Sequence, residues 1–317
     1  MKILFVDTHC HHKNKIGFDL LCKANSIESI CTNDALQFEG HYDLVIVPSE
    51  YIPPHAFPNS KYVMYGPHNF VFTNGIWQGS ANSPYFRRHC FYNLLSDWIV
   101  HIQNEFNGMS LLSKAVPFPV DVERFCPFLQ EATHDCFVYF KGRKRELLAY
   151  AEERLKSLGL RYIIIRYGSY TEEQYLQVLR TSRFGLWIGS HESQGFALQE
   201  ALSTNVPLVV WNVKSMFDEY NRQNEICYKE NPQKYKLKAT SVPYWDKRCG
   251  ELFTEKEELD AKVMAMSQSY ALYRPREFIL ETLSPVACYK RLVEVLKTIP
   301  PNDHMLLDTR EQVQPSQ

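Results

Sequence analysis

The sequence has little net charge, no long apolar run and no closely spaced cysteine pair. Its 317 residues include 35 Lys and Arg against 36 Asp and Glu, so a net charge of −1 gives no overall attraction to nucleic acid or an acidic membrane. No stretch of about 18 apolar residues is present, as a membrane span requires, and the apolar run at residues 3–6 is too short for a signal peptide. We therefore expect no nucleic-acid partner and at most peripheral membrane contact.

The nine cysteines are odd in number and scattered, which favours neither a disulfide framework nor a zinc knuckle. A reducing, cytoplasmic setting fits this usage best. The cluster at His9, Cys10, His11 and His12 carries good zinc ligands, but adjacent side chains can rarely all reach one tetrahedral ion. We predict no metal site there and interpret the cluster as a loop or an acceptor contact.

Short apolar runs alternate with helical patterns along the chain, which predicts an α/β protein with parallel sheets. A proline-rich segment at 115–127 divides the pattern and cannot be a regular helix, so we interpret it as a connector. The length suits two domains, at 1–126 and 127–285. The predicted strands are 3–6, 42–47, 61–65 and 96–100 before the connector, and 136–140, 161–166, 184–188 and 206–211 after it.

The stretch 183–213 is the most informative part of the chain because it places two carboxylates between two apolar strands. Glu192 lies on the loop after the first strand, and Glu200 lies in the helix that begins near Gly195. In open α/β sheets ligands bind outside the carboxyl ends of the strands, where a helix N-terminus attracts anions. Two acceptors flanking an anion site would suit a polyhydroxylated phosphate ester.

This stretch resembles the donor-binding motif of GT-B glycosyltransferases, in particular the retaining family 4, which is marked by two Glu separated by seven residues. Residues 192–196, 200–202 and 205–209 carry the resemblance, and Gln194 stands where the family commonly has an aromatic residue. The resemblance covers nearly all of residues 1–297, strongly in the second half and weakly in the first. It implies two Rossmann-like domains, acceptor side first and donor side second, with a C-terminal helix at 286–298 that crosses back to the first domain. Residues 299–317 are predicted to be a disordered tail.

The resemblance implies a retaining transfer from a nucleotide-diphosphate sugar to a glycan, a lipid-linked or another hydroxyl acceptor, with no metal or other cofactor. Glu200 would bind the donor ribose and Glu192 the hydroxyls of the transferred sugar. Ser193, Gly195 and Phe196 would lie at the helix N-terminus that faces the phosphates.

Sugar transfer also needs cations near the leaving diphosphate, where negative charge develops. Lys141, Arg143 and Lys144 directly follow the first strand of the second domain and resemble the family's Gly-Arg and following Lys. We expect Arg143 to carry the main role, assisted by Lys144 and Lys141. The alternative is a basic first turn of a surface helix.

Three further residues are weaker candidates. His68 follows a strand and Gly66-Pro67, and it resembles a histidine that relatives place near the reacting sugar. Gly17, expected at a loop-to-helix junction, resembles the glycine that lets the backbone approach the donor. Tyr170 follows a strand where it could stack on the base, although an aromatic residue there is often part of the core.

Two functions of other kinds remain open at this point. A two-lobed protein could bind a nucleotide or a sugar without chemistry, and a nucleotide-sugar epimerase could share the fold. The basic and aromatic segment 84–92 could meet an acceptor glycan, a lipid phosphate or a membrane surface, or could be a helix that packs its aromatic face inward.

Overall fold

The structure is a computed structural model that describes residues 1–7, 10–67, 88–107, 112–128, 131–218 and 237–302, with backbone alone at 103–107. The chain forms two compact units. Unit 1 comprises 1–119 and the described residues from 285 onward, and unit 2 comprises Val120–Ser284. Among the described residues no helix is long and apolar enough to cross a membrane.

Unit 1 is built on a parallel sheet with the strand order β2-β1-β3-β4-β5-β6. Residues 3–6 of the first strand are fully buried, as expected for a parallel strand that is covered on both faces. The strands are β1 Lys2–Val6, β2 Glu28–Thr32, β3 Tyr42–Val47, β4 Ser60–Tyr65, β5 Cys90–Asn93 and β6 Ser113–Lys114. The described helices are α1 His12–Ala24, α2 Asp97–Asn107 and, at the end of the chain, α8 Pro285–Lys297.

The predicted strand at 96–100 is wrong. The strand that follows β4 is instead β5, whose four residues are all buried, and the chain turns at Leu95, which has a φ of 66°. Helix α2 then begins at Asp97, where a carboxylate is favoured by the helix dipole. Ile99 and Ile102 are both buried and three residues apart, so the apolar run forms one face of a helix.

The chain returns to unit 1 after leaving unit 2, as the sequence predicts. Helix α8 packs against α1, and the Asn25 side chain donates a 3.1 Å hydrogen bond to the Pro285 carbonyl oxygen. Residues 299–302, predicted to begin the tail, instead continue this unit: Ile299 is buried, and the Asn302 amide donates to the Ser60 carbonyl oxygen at 3.0 Å.

Unit 2 is also built on a parallel sheet, with the order β11-β10-β9-β7-β8. Gly250, with a φ of 136°, lies where an added Cβ would stand 1.9 Å from the Leu208 carbonyl oxygen, so only glycine fits. The strands are β7 His134–Lys141, β8 Tyr162–Arg166, β9 Ser182–Gly189, β10 Leu208–Trp211 and β11 Gly250–Phe253. The described helices are α3 Arg145–Ser157, α4 Glu172–Arg180, α5 Phe196–Ser203, α6 Leu259–Ser269 and α7 Pro275–Leu283.

The boundary between the units lies at 119–120 rather than after 126, because hydrogen bonds attach the end of the proline-rich connector to unit 2. The Val120 amide donates to the Leu283 carbonyl oxygen at 3.0 Å. Arg276 donates from one guanidinium nitrogen to the carbonyl oxygens of Val122, Phe125 and Ser203.

Glu251 on the edge strand β11 links the sheet to the helices that follow it. It accepts hydrogen bonds from Lys262 at 2.8 Å and from the Tyr273 hydroxyl at 2.9 Å. The Lys262 hydrogen bond is the main reason why the pKa of the Glu251 carboxyl lies below its ordinary value; burial opposes it, and the Tyr273 hydroxyl adds to it.

We expect Glu251→Gln to make unfolding of unit 2 less sensitive to acid. A depressed carboxyl pKa stabilises the folded state above the unfolded-state pKa near 4.5, and that contribution is lost as the pH falls through the folded-state pKa. The wild type should exceed the variant by about 0.5–1 kcal/mol at pH 7, as a partly exposed ion pair allows. Urea unfolding at pH 7, 5 and 3 should show this gap closing, and a gap unchanged at pH 3 would contradict the assignment.

Candidate active site

The predicted site residues of unit 2 gather at the carboxyl ends of β7, β8 and β9. Strand β7 pairs with β9 up to Lys141 opposite Gly189, so the loops after both strands begin side by side. The Ser190 amide donates to the Lys141 carbonyl oxygen at 2.9 Å, which extends the pairing by one residue. We call the residues of the loops after β7, β8 and β9, together with the first turns of α5, the carboxyl-end site.

An ion pair between Lys141 and Glu192 lies at the centre of the carboxyl-end site. The ammonium nitrogen of Lys141 is 2.7 Å from Oε1 of Glu192, and the two side chains are 23% and 13% exposed. The ammonium also lies 4.7 Å from the centre of the Tyr167 ring. A partly buried cation and carboxylate therefore meet at the edge where open sheets bind ligands.

The surroundings of Lys141 keep its side chain positively charged. Burial, the largest influence, lowers the pKa of Lys141, but the charge and hydrogen bond of Glu192 raise it, with smaller contributions from Tyr167 and Tyr170. The net result is a pKa above the ordinary lysine value, so the side chain is a cation at neutral pH.

Glu192 stands beside the start of α5. Gly195 precedes this helix in the left-handed conformation, with a φ of 86°, and a Cβ there would lie 3.4 Å from Cβ of Glu192. Ser193 and Phe196 are half-buried on either side of this turn. The positive end of the helix dipole is thus next to the ion pair, an arrangement that attracts anions.

Gln194 is turned into the protein. It is 2% exposed, and its amide nitrogen donates to the side-chain oxygen of Gln199 at 3.2 Å. The Gln199 amide in turn donates to the Gln194 carbonyl oxygen. The residue that replaces the expected aromatic therefore braces the first turns of α5.

Glu200 lies deeper, on the buried side of α5, at 5% exposure. Three tyrosines surround this region: the Tyr139 and Tyr170 hydroxyls are 3.0 Å apart, and the Tyr175 hydroxyl donates to the Ala197 carbonyl oxygen at 2.7 Å. Burial raises the pKa of Tyr170, the Tyr139 hydrogen bond opposes this, and the negative charge of Glu200 raises it further. Glu200 and Tyr170 are thus electrostatic neighbours in the carboxyl-end site.

Arg143 lies inside the protein, in contrast to its neighbour Lys144. Its side chain is 5% exposed, and one guanidinium nitrogen donates to the carbonyl oxygens of Gly189 at 3.1 Å and Trp211 at 3.0 Å. These carbonyls end β9 and β10, so Arg143 fastens two strand ends together. Lys144 is exposed and immediately precedes α3.

A segment that the sequence did not single out completes the carboxyl-end site. The Glu192 amide donates to the Thr240 carbonyl oxygen at 3.1 Å, and Ser241 donates from its hydroxyl to the Gly189 carbonyl oxygen at 3.2 Å. Asn212 after β10 accepts hydrogen bonds from both Thr240 and Ser241. No local pattern marks these residues, because their contacts span 28 to 52 positions in the sequence.

Two candidates belong to unit 1. Gly17 lies inside α1 rather than at its start, because the helix already begins at His12. A Cβ on Gly17 would stand 2.6 Å from Cβ of Phe118, so the glycine permits close packing of α1 on the connector. His68 lies outside the described residues, as do residues 84–87 of the basic and aromatic segment.

His11, a member of the histidine cluster, has a structural role. His11 caps α1, where its Nδ1 atom accepts a 3.3 Å hydrogen bond from the Lys13 amide. His9 lies outside the described residues. In the described part of the chain, no three His, Cys, Asp or Glu side chains come together in a way that could hold a metal ion.

No family model and no curated protein sequence matches the chain. Several solved structures share its fold. The apo form of the lipopolysaccharide outer core galactosyltransferase WaaB has a TM-score of 0.54 at 14% identity, over 94% of this chain and 99% of that one. Sucrose-phosphate synthase from Thermosynechococcus elongatus has a TM-score of 0.56 at 10% identity, over 94% and 98%. Anabaena HepE in complex with UDP has a TM-score of 0.54 at 11% identity, over 94% and 100%.

The fold is therefore the GT-B fold, with two Rossmann-like α/β domains that each carry a parallel sheet. This confirms the predicted fold class. Identities of 10–14% extend the likeness no further than the fold.

We expect Arg143→Met to lower the free energy of unfolding by about 2–4 kcal/mol, because it removes two hydrogen bonds made by a charged, buried donor. Lys144→Met is the matched control, since it deletes a neighbouring exposed cation and should change stability by less than about 0.5 kcal/mol. Urea denaturation of both variants measures the difference. Equal stability of the two variants would mean that the Arg143 guanidinium does not fasten β9 to β10.

Proposed function

We propose that this protein is a retaining glycosyltransferase that moves a sugar from a nucleotide-diphosphate sugar to a hydroxyl of a glycan or lipid acceptor. The observation that carries the proposal is the Lys141–Glu192 ion pair beside the N-terminus of α5, at the carboxyl ends of the strands of unit 2. Neighbours of the same fold include a galactosyltransferase and a protein solved with UDP, which makes a uridine nucleotide the first donor to test.

In this proposal, the positive charge at the carboxyl-end site stabilises the departing diphosphate. The bond from the anomeric carbon to the diphosphate oxygen breaks, its electron pair leaves with the diphosphate, and charge accumulates on the phosphate oxygens. Lys141, kept cationic by its surroundings, and the helix N-terminus at Ser193, Gly195 and Phe196 would neutralise that charge. The reaction would then need no metal and no further cofactor.

The carboxylates would position the donor. Glu192 would accept hydrogen bonds from hydroxyls of the transferred sugar once the diphosphate takes up the charge of Lys141. Glu200 would bind the ribose, with Tyr170 next to it on the base side. The acceptor hydroxyl would attack on the face from which the diphosphate departs and pass its proton to a diphosphate oxygen, which retains the anomeric configuration.

The proposal gives smaller or indirect roles to Arg143, Lys144, His68 and Gly17. Arg143 would act as a positioning residue, because its guanidinium holds the strand ends from which the Glu192 loop departs. Lys144 would add positive charge from the exposed side, His68 would lie near the reacting sugar, and Gly17 would keep α1 closely packed on the connector. We place the reaction in the cytoplasm, where thiols stay reduced, since none of the eight described cysteines forms a disulfide bond.

The test separates the two members of the ion pair. Lys141→Met should abolish the thermal shift that UDP gives to the wild type and lower transfer from a UDP-sugar about 100- to 1000-fold, because it removes a charge that faces the diphosphate. Glu192→Gln should keep UDP affinity within about threefold but lower transfer about 10- to 100-fold, because only a sugar contact to a charged group is weakened. The matched control is Lys156→Met, an exposed lysine at the far end of α3, which should change neither quantity.

The outcomes also separate the alternatives. A UDP shift without transfer to any acceptor would favour a binding protein, and conversion of a UDP-sugar to its isomer without an acceptor would favour an epimerase. If both ion-pair variants bound and transferred like the wild type, the carboxyl-end site would not be the donor site.

A further inference from the structure

Unit 2 has a cavity at the amino end of strand β9, opposite the carboxyl-end site. It has a volume of about 530 Å³ and opens where β9 begins and α5 ends. Strand β9 runs from Ser182 at this cavity to Gly189 at the carboxyl-end site, so the two lie roughly 23 Å apart at 3.3 Å per residue. We call it the amino-end cavity. Its size falls in the range of small-molecule sites.

Two residues that line the amino-end cavity carry buried polar atoms without hydrogen-bond partners. The Ser182 side chain is 7% exposed, and its buried hydroxyl has no hydrogen-bond partner. The Nε atom of Arg180, two residues earlier, is also buried without an acceptor. Buried donors without partners cost about 1–3 kcal/mol each, so two of them on residues that line one cavity point to an acceptor supplied from outside the chain.

The amino-end cavity offers an anion the positive charge of Arg180, because that of Arg183 is already paired with Asp135. Two arginines line it, Arg180 and Arg183, against one glutamate, Glu131. The Arg180 guanidinium is held by the Phe128 ring at 4.8 Å, and Arg183 is tied to Asp135 at 3.1 Å. Both cations are thus pre-positioned by the protein, and Arg180 still has a hydrogen to donate.

The wall beside these donors is aromatic. Tyr270 and Tyr273 line the same cavity, and Arg183 lies 6.0 Å from the centre of the Tyr270 ring. A ligand whose oxyanion accepts hydrogen bonds from Arg180 and Ser182 can therefore pack a flat ring against the two tyrosines.

We propose that the amino-end cavity is a binding site for a small oxyanion ligand, a phosphate or carboxylate on a compact ring, recognised by Arg180 and Ser182. This site is separate from the proposed donor site. Its existence does not depend on the transferase activity.

The test uses probes that share one ring and differ in the head group: phenyl phosphate, benzoate and the neutral benzyl alcohol. Calorimetry should show that an anionic probe binds the wild type at least tenfold more tightly than benzyl alcohol. Arg180→Gln should weaken that binding at least tenfold and Ser182→Ala at least threefold. A preference for phenyl phosphate or for benzoate assigns the head group.

Two controls keep the result specific. Lys141→Met removes the cation of the carboxyl-end site and should leave anionic probe binding unchanged. Without probe, Ser182→Ala should melt at or above the wild-type temperature, because it deletes an unpartnered buried hydroxyl, so its loss of binding is not a loss of fold. The proposal is overturned if no anionic probe binds, if Arg180→Gln binds as the wild type does, or if Lys141→Met alone loses binding.

Discussion

The parallel register between β7 and β9 is the constraint on which the site depends. Because Lys141 is paired with Gly189 and holds the Ser190 amide, the loop after β9 must leave the sheet beside the lysine. Glu192 is then two residues from the last hydrogen-bonded position, within reach of the ammonium. A shift of one residue would turn Lys141 to the other face of the sheet and separate the pair.

The same edge is reinforced from three directions, which explains how a loop can hold a charged pair. Arg143 fastens the ends of β9 and β10 from within, and Thr240 and Ser241 hold the loop from outside. Gln194 fixes the start of α5 by bonding to Gln199. A site that keeps a cation and a carboxylate in place before any ligand arrives has little left to reorganise when one binds, which is the physical advantage of such preorganisation.

Most of the element pattern was readable from local sequence, but one predicted strand is wrong and strands β2, β5, β6 and β11 were not predicted. Strands such as 3–6 and 42–47 are short buried apolar runs with few alternatives. The run at 96–100 looks the same in composition, but its apolar residues belong to a helical face. The turn before it is held by the Leu95 amide, which donates to the Asn93 side chain, and by the Leu94 amide, which donates to the Lys114 carbonyl oxygen. Likewise, no local pattern indicates that the end of the connector belongs to unit 2. It is attached there because Arg276, more than 150 positions away, donates hydrogen bonds to its carbonyl oxygens.

The sequence alone determined the fold class and the placement of Glu192 on a loop and Glu200 in the helix that follows. The apolar runs of parallel strands, a glycine just before a helix and the spacing of two glutamates are all local features of the chain. Only the tertiary structure decided the partners of those residues. It paired Lys141, rather than Arg143, with Glu192, and it turned Gln194 inward. It also left Ser182 and Arg180 with unpartnered donors in a cavity at the other end of the same strand. Burial and long-range hydrogen bonds decide which of several chemically similar residues, close together in the sequence, faces the site. Neither can be derived from the spacing of residues along the chain.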